Sequence, residues 1–300
     1  MKIIRAVHLG MCFGVRDAIA LALRGAEAGP VTVLGELVHN ETVLAGLRAR
    51  GVVVAERVEE VTTRAAMITA HGASRAALAR ARAAGLEVAE ATCPLVRSAH
   101  RALEGLVAAG FHPVIIGRRE HVEVRGMTGD LADYDVVLTG AEVDALRERP
   151  RFGVVAHTTQ PIDRVEGLVR LLRRRFPASE VRFADTVCRP TKERQEAAVE
   201  LARAADVVIV VGGARSNNTR ELAATCRRDC ARVWQIETAG ELRAEWVAGA
   251  GVVGVTAGTS TPDRVIDEVE ARLREWAAAG APGLSLPPCA AVGLAVGHPA

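Results

Sequence analysis

Short, unbroken apolar runs constrain this chain more than any other feature. Val31-Thr-Val-Leu-Gly-Glu-Leu-Val38, Pro113-Val-Ile-Ile116, Phe152-Gly-Val-Val-Ala156, Asp206-Val-Val-Ile-Val-Val211 and Gly251-Val-Val-Gly-Val-Thr256 lie between segments of helical periodicity. A strand with one wet face alternates apolar and polar residues. A continuous Val/Ile run instead has both faces covered, as in a parallel sheet with helices on either side. The fold class is therefore α/β. Aromatic residues make up only 3% of the chain, so the core has to be built from Val, Leu, Ile and Ala.

This alternation carries a longer period, marked by cysteines. Cys12 follows the apolar opening Met1–Val7 and precedes a helical pattern from Phe13 to about Ala28. Cys93 follows the strand-like Leu86–Ala91 and precedes a helix opened by Pro94; Cys188 follows Glu180–Phe183 and, with Pro190, opens a helix through Leu201. Proline is favoured in the first turn because its missing N–H costs nothing there. Each cysteine thus stands just before a helix start, where free amides and the helix dipole stabilise a thiolate. The intervals are 81 and 95 residues, each repeating helix, strand, helix, strand, strand, helix, strand. An internal threefold repeat follows. Its α/β units run over 1–93, 94–184 and 185–278, with a Pro-, Gly- and Ala-rich surface tail over 279–300.

Polar residues gather at the C-terminal ends of the expected strands, which is where α/β sheets bind ligands. The first unit places His39 and His71 there. The second places His121 and Glu123, then His157-Thr-Thr159, and the third Ser216-Asn-Asn-Thr219 and Gly258-Thr-Ser-Thr261. Three thiolates with no fourth partner in the same setting suggest an iron–sulfur cluster with an open iron. Imidazoles, hydroxyls and amides beside helix starts suit a phosphate-bearing ligand. Glu123, the one acid among those histidines, is a candidate proton donor. Cys226 and Cys230, four apart in a helical region, read as packing residues, and Cys289 in the tail as incidental.

Charge and length exclude other classes. The formal charge is +2 and no Lys/Arg run exceeds Arg173–Arg175, so nucleic acid is not an expected partner. No apolar run approaches the ~20 residues of a membrane span. Arg16 and Asp17 interrupt any signal-peptide core. Six cysteines in 300 residues are too sparse for a disulfide scaffold, and a reduced, cytoplasmic protein is expected.

Gly10-Met-Cys-Phe-Gly-Val-Arg-Asp-Ala-Ile19, Leu37-Val-His-Asn40, Ala70-His-Gly72, Ala91-Thr-Cys-Pro-Leu-Val96, Arg194-Gln195, Gly254-Val-Thr-Ala-Gly258 and Ser260-Thr-Pro-Asp263 together resemble the LytB/IspH family. The likeness runs from Met1 to about Ala278 in the family's order and spacing. It implies three similar α/β domains with mainly parallel sheets, arranged pseudo-threefold around a central iron–sulfur site. It further implies one [4Fe–4S] cluster per chain held by Cys12, Cys93 and Cys188, with one iron lacking a protein ligand. By the same resemblance His39, His71, His121, Ser216, Asn218 and Ser260 meet a substrate diphosphate, with His157 and Asn217 at the same strand tips. Glu123 and Thr158 match the family's proton-delivering pair. The implied reaction is reductive removal of the allylic hydroxyl of 4-hydroxy-3-methylbut-2-enyl diphosphate, with electrons from ferredoxin or flavodoxin. Four positions depart from the family pattern: His157 replaces a glutamine, Asn217 a serine, and, in His121-Val-Glu-Val-Arg-Gly126 against the usual His-Pro-Glu-Val-Glu-Gly, Val122 a proline and Arg125 a glutamate.

Two other readings compete. One is a paralogue that acts on, or only binds, a related phosphorylated allylic compound. The other is a non-catalytic iron–sulfur or zinc sensor, although zinc usually takes four ligands in close pairs that this chain lacks. A dinucleotide-binding dehydrogenase is disfavoured, because no Gly-x-Gly-x-x-Gly follows the first strand.

Overall fold

A computed structural model describes residues 1–279. The tail expected over 279–300, Cys289 included, falls outside the described residues from position 280 on. The chain begins with β1 (Lys2–Arg5), α1 (Phe13–Ala28), β2 (Val31–Leu34), α2 (Glu41–Arg48), β3 (Val52–Ala55), β4 (Ala65–Ile68), α3 (Arg75–Ala83) and β5 (Glu87–Glu90). There follow α4 (Pro94–Ala108), β6 (His112–Ile116), α5 (Val122–Thr128), β7 (Asp135–Val137), α6 (Gly140–Asp144), β8 (Arg151–Ala156), α7 (Ile162–Arg175) and β9 (Glu180–Phe183). The last part holds α8 (Arg189–Ala204), β10 (Val207–Val211), α9 (Asn217–Cys226), β11 (Val233–Ile236), α10 (Ala244–Val247), β12 (Val252–Ala257) and α11 (Asp263–Ala278).

The strands form three four-stranded parallel sheets, ordered β3-β2-β4-β5, β7-β6-β8-β9 and β11-β10-β12-β1. The three orders are one topology repeated. The first strand differs from the sequence expectation, which placed it in the 1–93 unit. Lys2–Arg5 pairs instead with Val252–Val255 of β12, in the sheet of the third unit. The reason is cyclic. The strand before each special cysteine is the outer strand of the preceding unit's sheet: β5 beside β4, β9 beside β8, and β1 beside β12. For Cys12 the preceding unit is the last, so the chain's start covers what would be an open sheet edge.

Each β10 side chain from Val207 to Val211 is fully buried, as a run covered on both faces requires. Burying one such side chain is worth roughly 1.5–3 kcal/mol, so these central strands anchor their sheets. Helices α3 and α4 are closed by Gly85 and Gly110 at φ +79° and +80°, a conformation L side chains resist. The run expected as a strand to Val38 stops at Leu34, because Gly35 turns the chain at φ +84°. Leu37 and Val38 are still buried, held by a loop that delivers His39. The short helices α6 and α10, between the second and third strands of their units, are additional to the sequence reading. Cys226 and Cys230 pack in the third core, their thiols toward the carbonyls of Ala198 and Asp206 at 3.7 and 3.6 Å.

Candidate active site

The site is assembled by two backbone devices used three times. In the first, the helix after each unit's leading strand is capped by a residue of the site loop. Asn40 Oδ1 accepts from Val43 N, His121 Nδ1 from Glu123 N, and Ser216 Oγ from Thr219 N, at 3.2, 3.2 and 3.3 Å. In the second, each special cysteine's N–H donates to the tip of the third strand in the preceding unit. Cys93 N bonds Ala70 O at 3.0 Å, Cys188 N bonds Thr158 O at 2.9 Å, and Cys12 N bonds Thr259 O at 3.1 Å. Every cysteine is therefore tied to the loop that carries His71, His157-Thr158 or Ser260.

Those loops surround a small, half-open cavity of about 50 Å³. It is lined by His39, His71, His121, Glu123, His157, Ser216, Asn217, Asn218 and Ser260, together with Val15, Val38, Thr159 and Thr259. Nine of the expected site residues thus meet in one place. Thr158 adjoins the cavity through Glu123, donating its N–H to Oε1 at 2.8 Å and its hydroxyl to Oε2 at 2.9 Å. The sequence reading gave no role to Thr159 or Thr259; their only signal was adjacency to Thr158 and Ser260. It also missed Gln160 and Arg164, which support His157 from behind.

The histidines pack ring to ring. His39, His71 and His121 form a triangle with centroid separations of 5.3, 5.7 and 5.6 Å, and His157 lies 3.9 Å from His121. Burial, with the neighbouring His39 ring, pushes His71 from 6.5 down to about 3. Burial and the His157, His71 and His39 rings push His121 lower still. Both are neutral near pH 7, each able to give one N–H. Glu123 is 2% exposed. Burial alone would raise its pKa, but His157 and the two Thr158 hydrogen bonds outweigh that and hold the carboxyl below its usual range. The ionised form therefore dominates.

Three buried polar atoms in the cavity wall have no partner: Asn217 Oδ1, Asn218 Nδ2 and Ser260 Oγ. An unpaired buried donor costs ~1–3 kcal/mol unless a ligand meets it, so these atoms mark where one binds.

Cys12, Cys93 and Cys188 are free thiols at the N-caps of α1, α4 and α8, and none is occupied as a side-chain cap. Their loops touch. A Cβ on Gly14 would lie 2.6 Å from Cys93 Sγ, so the first turn of α1 leaves space for that sulfur. Arg194, on the Cys188 helix, donates from Nε and Nη2 to Gly10 O at 3.1 and 2.8 Å, two residues before Cys12. Burial raises the Cys93 thiol and takes Cys188 to about 11, outweighing the helix-start amides that were expected to favour the thiolate. Among the described residues no three His, Cys, Asp or Glu side chains converge tightly enough to hold one metal ion. Three free thiols, of which Cys188 has a hydroxyl partner in Thr191 Oγ1 at 3.1 Å, fit a cluster, in which each iron takes its own thiolate.

Comparison with known proteins gives a single answer. The family model described as "LytB protein" matches residues 3–274. A 4-hydroxy-3-methylbut-2-enyl diphosphate reductase of Geobacter metallireducens is 39% identical over 278 residues, 92% of this chain and 98% of that protein. The protein of the same name from Anaeromyxobacter sp. is 38% identical over 288 residues, 94% of this chain and 100% of its own length. The solved E-1-hydroxy-2-methyl-but-2-enyl-4-diphosphate reductase of Plasmodium falciparum superposes with a TM-score of 0.85 at 25% identity, covering 90% of this chain and 87% of that one. A second solved structure is described as (E)-4-hydroxy-3-methyl-but-2-enyl diphosphate reductase, the terminal enzyme of the non-mevalonate pathway. It gives a TM-score of 0.67 at 35% identity, covering 92% of this chain and 100% of that one.

Proposed function

The chain belongs to the LytB family, and from that premise we propose that it is a 4-hydroxy-3-methylbut-2-enyl diphosphate reductase. It removes the allylic hydroxyl and gives isopentenyl and dimethylallyl diphosphates, the last step of the non-mevalonate pathway. One observation carries this reading: the cavity rich in hydrogen-bond donors is tied by three cysteine amides to three free thiols.

The diphosphate is assigned to His39, His71, His121, Ser216, Asn218 and Ser260, with His157 and Asn217 in the same wall. Asn218 Nδ2 and Ser260 Oγ supply the donors that lack partners. Neutral His71 and His121 each add one N–H. A diphosphate fixed by several donors brings its allylic hydroxyl into one orientation before reaction. Glu123 and Thr158 manage the proton. Thr158 O–H donates to Oε2 while Glu123 is ionised; once the carboxyl is protonated the bond can reverse, Glu123 donating to Thr158 Oγ1 as that hydroxyl gives its own proton to the leaving group. A carboxyl held ionised by several donors is a strong acid once protonated, and releases its proton readily.

Cys12, Cys93 and Cys188 would hold a [4Fe–4S] cluster with one iron free of protein ligands. Such a group supplies single electrons and a Lewis-acidic iron for the leaving oxygen. Ferredoxin or flavodoxin is assigned as electron donor and the cytoplasm as location. The units over 1–93, 94–184 and 185–278 are assigned as the three domains, with β1 crossing to the third. No nucleic-acid or membrane partner is assigned. Among the described residues no helix is long and apolar enough to cross a membrane.

The test is anaerobic purification with iron and sulfide analysis. Replacing Cys12, Cys93 or Cys188 with Ser should abolish the brown chromophore and turnover, while Cys226→Ser should leave both. Loss of the chromophore in Cys226→Ser with retention in Cys93→Ser would overturn the ligand assignment.

A further inference from the structure

His157 is fully buried, and its ring nitrogens are both engaged within the protein. Nε2 lies 3.4 Å from Glu123 Oε2 and 3.1 Å from Thr159 Oγ1. Nδ1 lies 3.3 Å from Gln160 Nε2. That last contact decides the tautomer. Gln160 is fully buried, and its Oε1 accepts from Arg164 Nη1 at 3.1 Å, which turns the amide nitrogen toward the ring. Arg164 is held in turn by Glu221, 2.7 Å from the same Nη1. An amide nitrogen only donates, so Nδ1 must accept and the ring proton sits on Nε2, facing Glu123 and Thr159. The ring's seat is built for it. A Cβ on Gly117 would lie 2.9 Å from His157 Cβ, so only glycine leaves room at the end of β6.

We propose that His157 is a positioning residue for the proton-delivering carboxylate. Its Nε2–H, fixed by the chain Glu221–Arg164–Gln160, pins Glu123 Oε2 in the orientation from which Thr158 and the substrate are served. This rests on the reductase reading, and it assigns His157 to Glu123 in place of the diphosphate. Glu123 then has two hydrogen-bond donors from Thr158, N–H on Oε1 and O–H on Oε2, with the polar edge of His157 a third positive group 3.4 Å from Oε2. The groups facing the pair are His121 from the start of α5, Thr159 and Gln160 from the same loop, and Asn217, whose Nδ2 donates to Thr159 Oγ1 at 3.4 Å. His71 and the thiols of Cys93 and Cys188 lie within reach of the Glu123 charge, which favours the protonated form of each.

Three variants of the cluster-loaded enzyme test this: His157→Phe, which removes the donor, His157→Gln, which restores one, and Gln160→Leu, which releases the tautomer. Two readouts are used. Infrared titration follows the protonated carboxyl band that Glu123→Gln abolishes, and it needs no turnover. In His157→Phe and Gln160→Leu that band should appear at higher pH than in the wild type, and in His157→Gln at the wild-type position. In steady-state kinetics His157→Phe should lower kcat about ten- to hundredfold through misplacement of the acid, with substrate Kd within twofold and rescue by His157→Gln. Unmoved carboxyl titration in both His157→Phe and Gln160→Leu would overturn the proposal. So would a loss confined to Kd, which would make His157 a substrate ligand. A wild-type enzyme without turnover would instead remove the reductase reading and leave the infrared result to stand alone.

Discussion

At the scale of single residues, Glu123 is a carboxyl kept charged inside the protein by its neighbours. Glu123→Gln keeps the shape but cannot carry a proton. Turnover should fall by ~10²–10⁴, the usual worth of general acid catalysis, while substrate affinity and iron content persist. Wild-type kcat in that variant would contradict the role given to Glu123. The buried histidines set a second expectation. Between pH 6.5 and about 3 the unfolded chain holds a proton on His71 that the folded chain refuses. Stability is therefore present above pH 6.5 and is lost as pH falls, by up to about 1.4 kcal/mol per unit for each such histidine. The lowered Glu123 acts in the same direction, since its contribution is present above the unfolded carboxyl value and disappears as pH falls through the folded one. The thermal midpoint should thus drop from pH 7.5 to 5.5, and less so in His71→Asn. A midpoint independent of pH would contradict the burial of these rings.

At the scale of elements, the starts of α1, α4 and α8 carry the cysteines, and Gly14 shows how closely they meet. In a helix, Gly→Ala ordinarily stabilises by ~0.8–1 kcal/mol. At Gly14 the added Cβ would sit 2.6 Å from Cys93 Sγ, so the gain is outweighed. Gly14→Ala should lower iron and sulfide content per chain with the fold intact by circular dichroism; full cluster occupancy would show that the helix can yield. Much of this level was legible in the sequence. Pro113–Ile116, Phe152–Ala156 and Asp206–Val211 were read to within a residue of β6, β8 and β10, and Pro94 and Pro190 marked helix starts correctly, because local chemistry fixes those features. The run to Val38 was read too long, since its buried Leu37 and Val38 pack from a loop. The support behind His157 was not legible. Arg164 on α7 looks like any solvated helix charge, and only the fold brings it to Gln160.

At the scale of the whole molecule, the repeat visible in the cysteine spacing closes on itself. Lys2–Arg5 completes the third sheet, and no local pattern could assign it there, because its partner lies about 250 residues away in sequence. Ile4→Asp should therefore raise amide exchange in β12 and β10 while sparing β2–β4. Exchange increases confined to the first sheet would contradict the cyclic topology. The three sheets bring six strand-tip loops to one cavity and tie the three cysteines to those loops through their amides, and reduction of an allylic diphosphate is the chemistry that uses all of them. The most direct test is anaerobic turnover of 4-hydroxy-3-methylbut-2-enyl diphosphate with a reduced viologen dye, beside Cys93→Ser as control. Wild-type protein should consume the dye and release isopentenyl and dimethylallyl diphosphates, and Cys93→Ser should do neither. A wild-type protein with its full complement of iron and sulfide that leaves this substrate unchanged would contradict the assigned function.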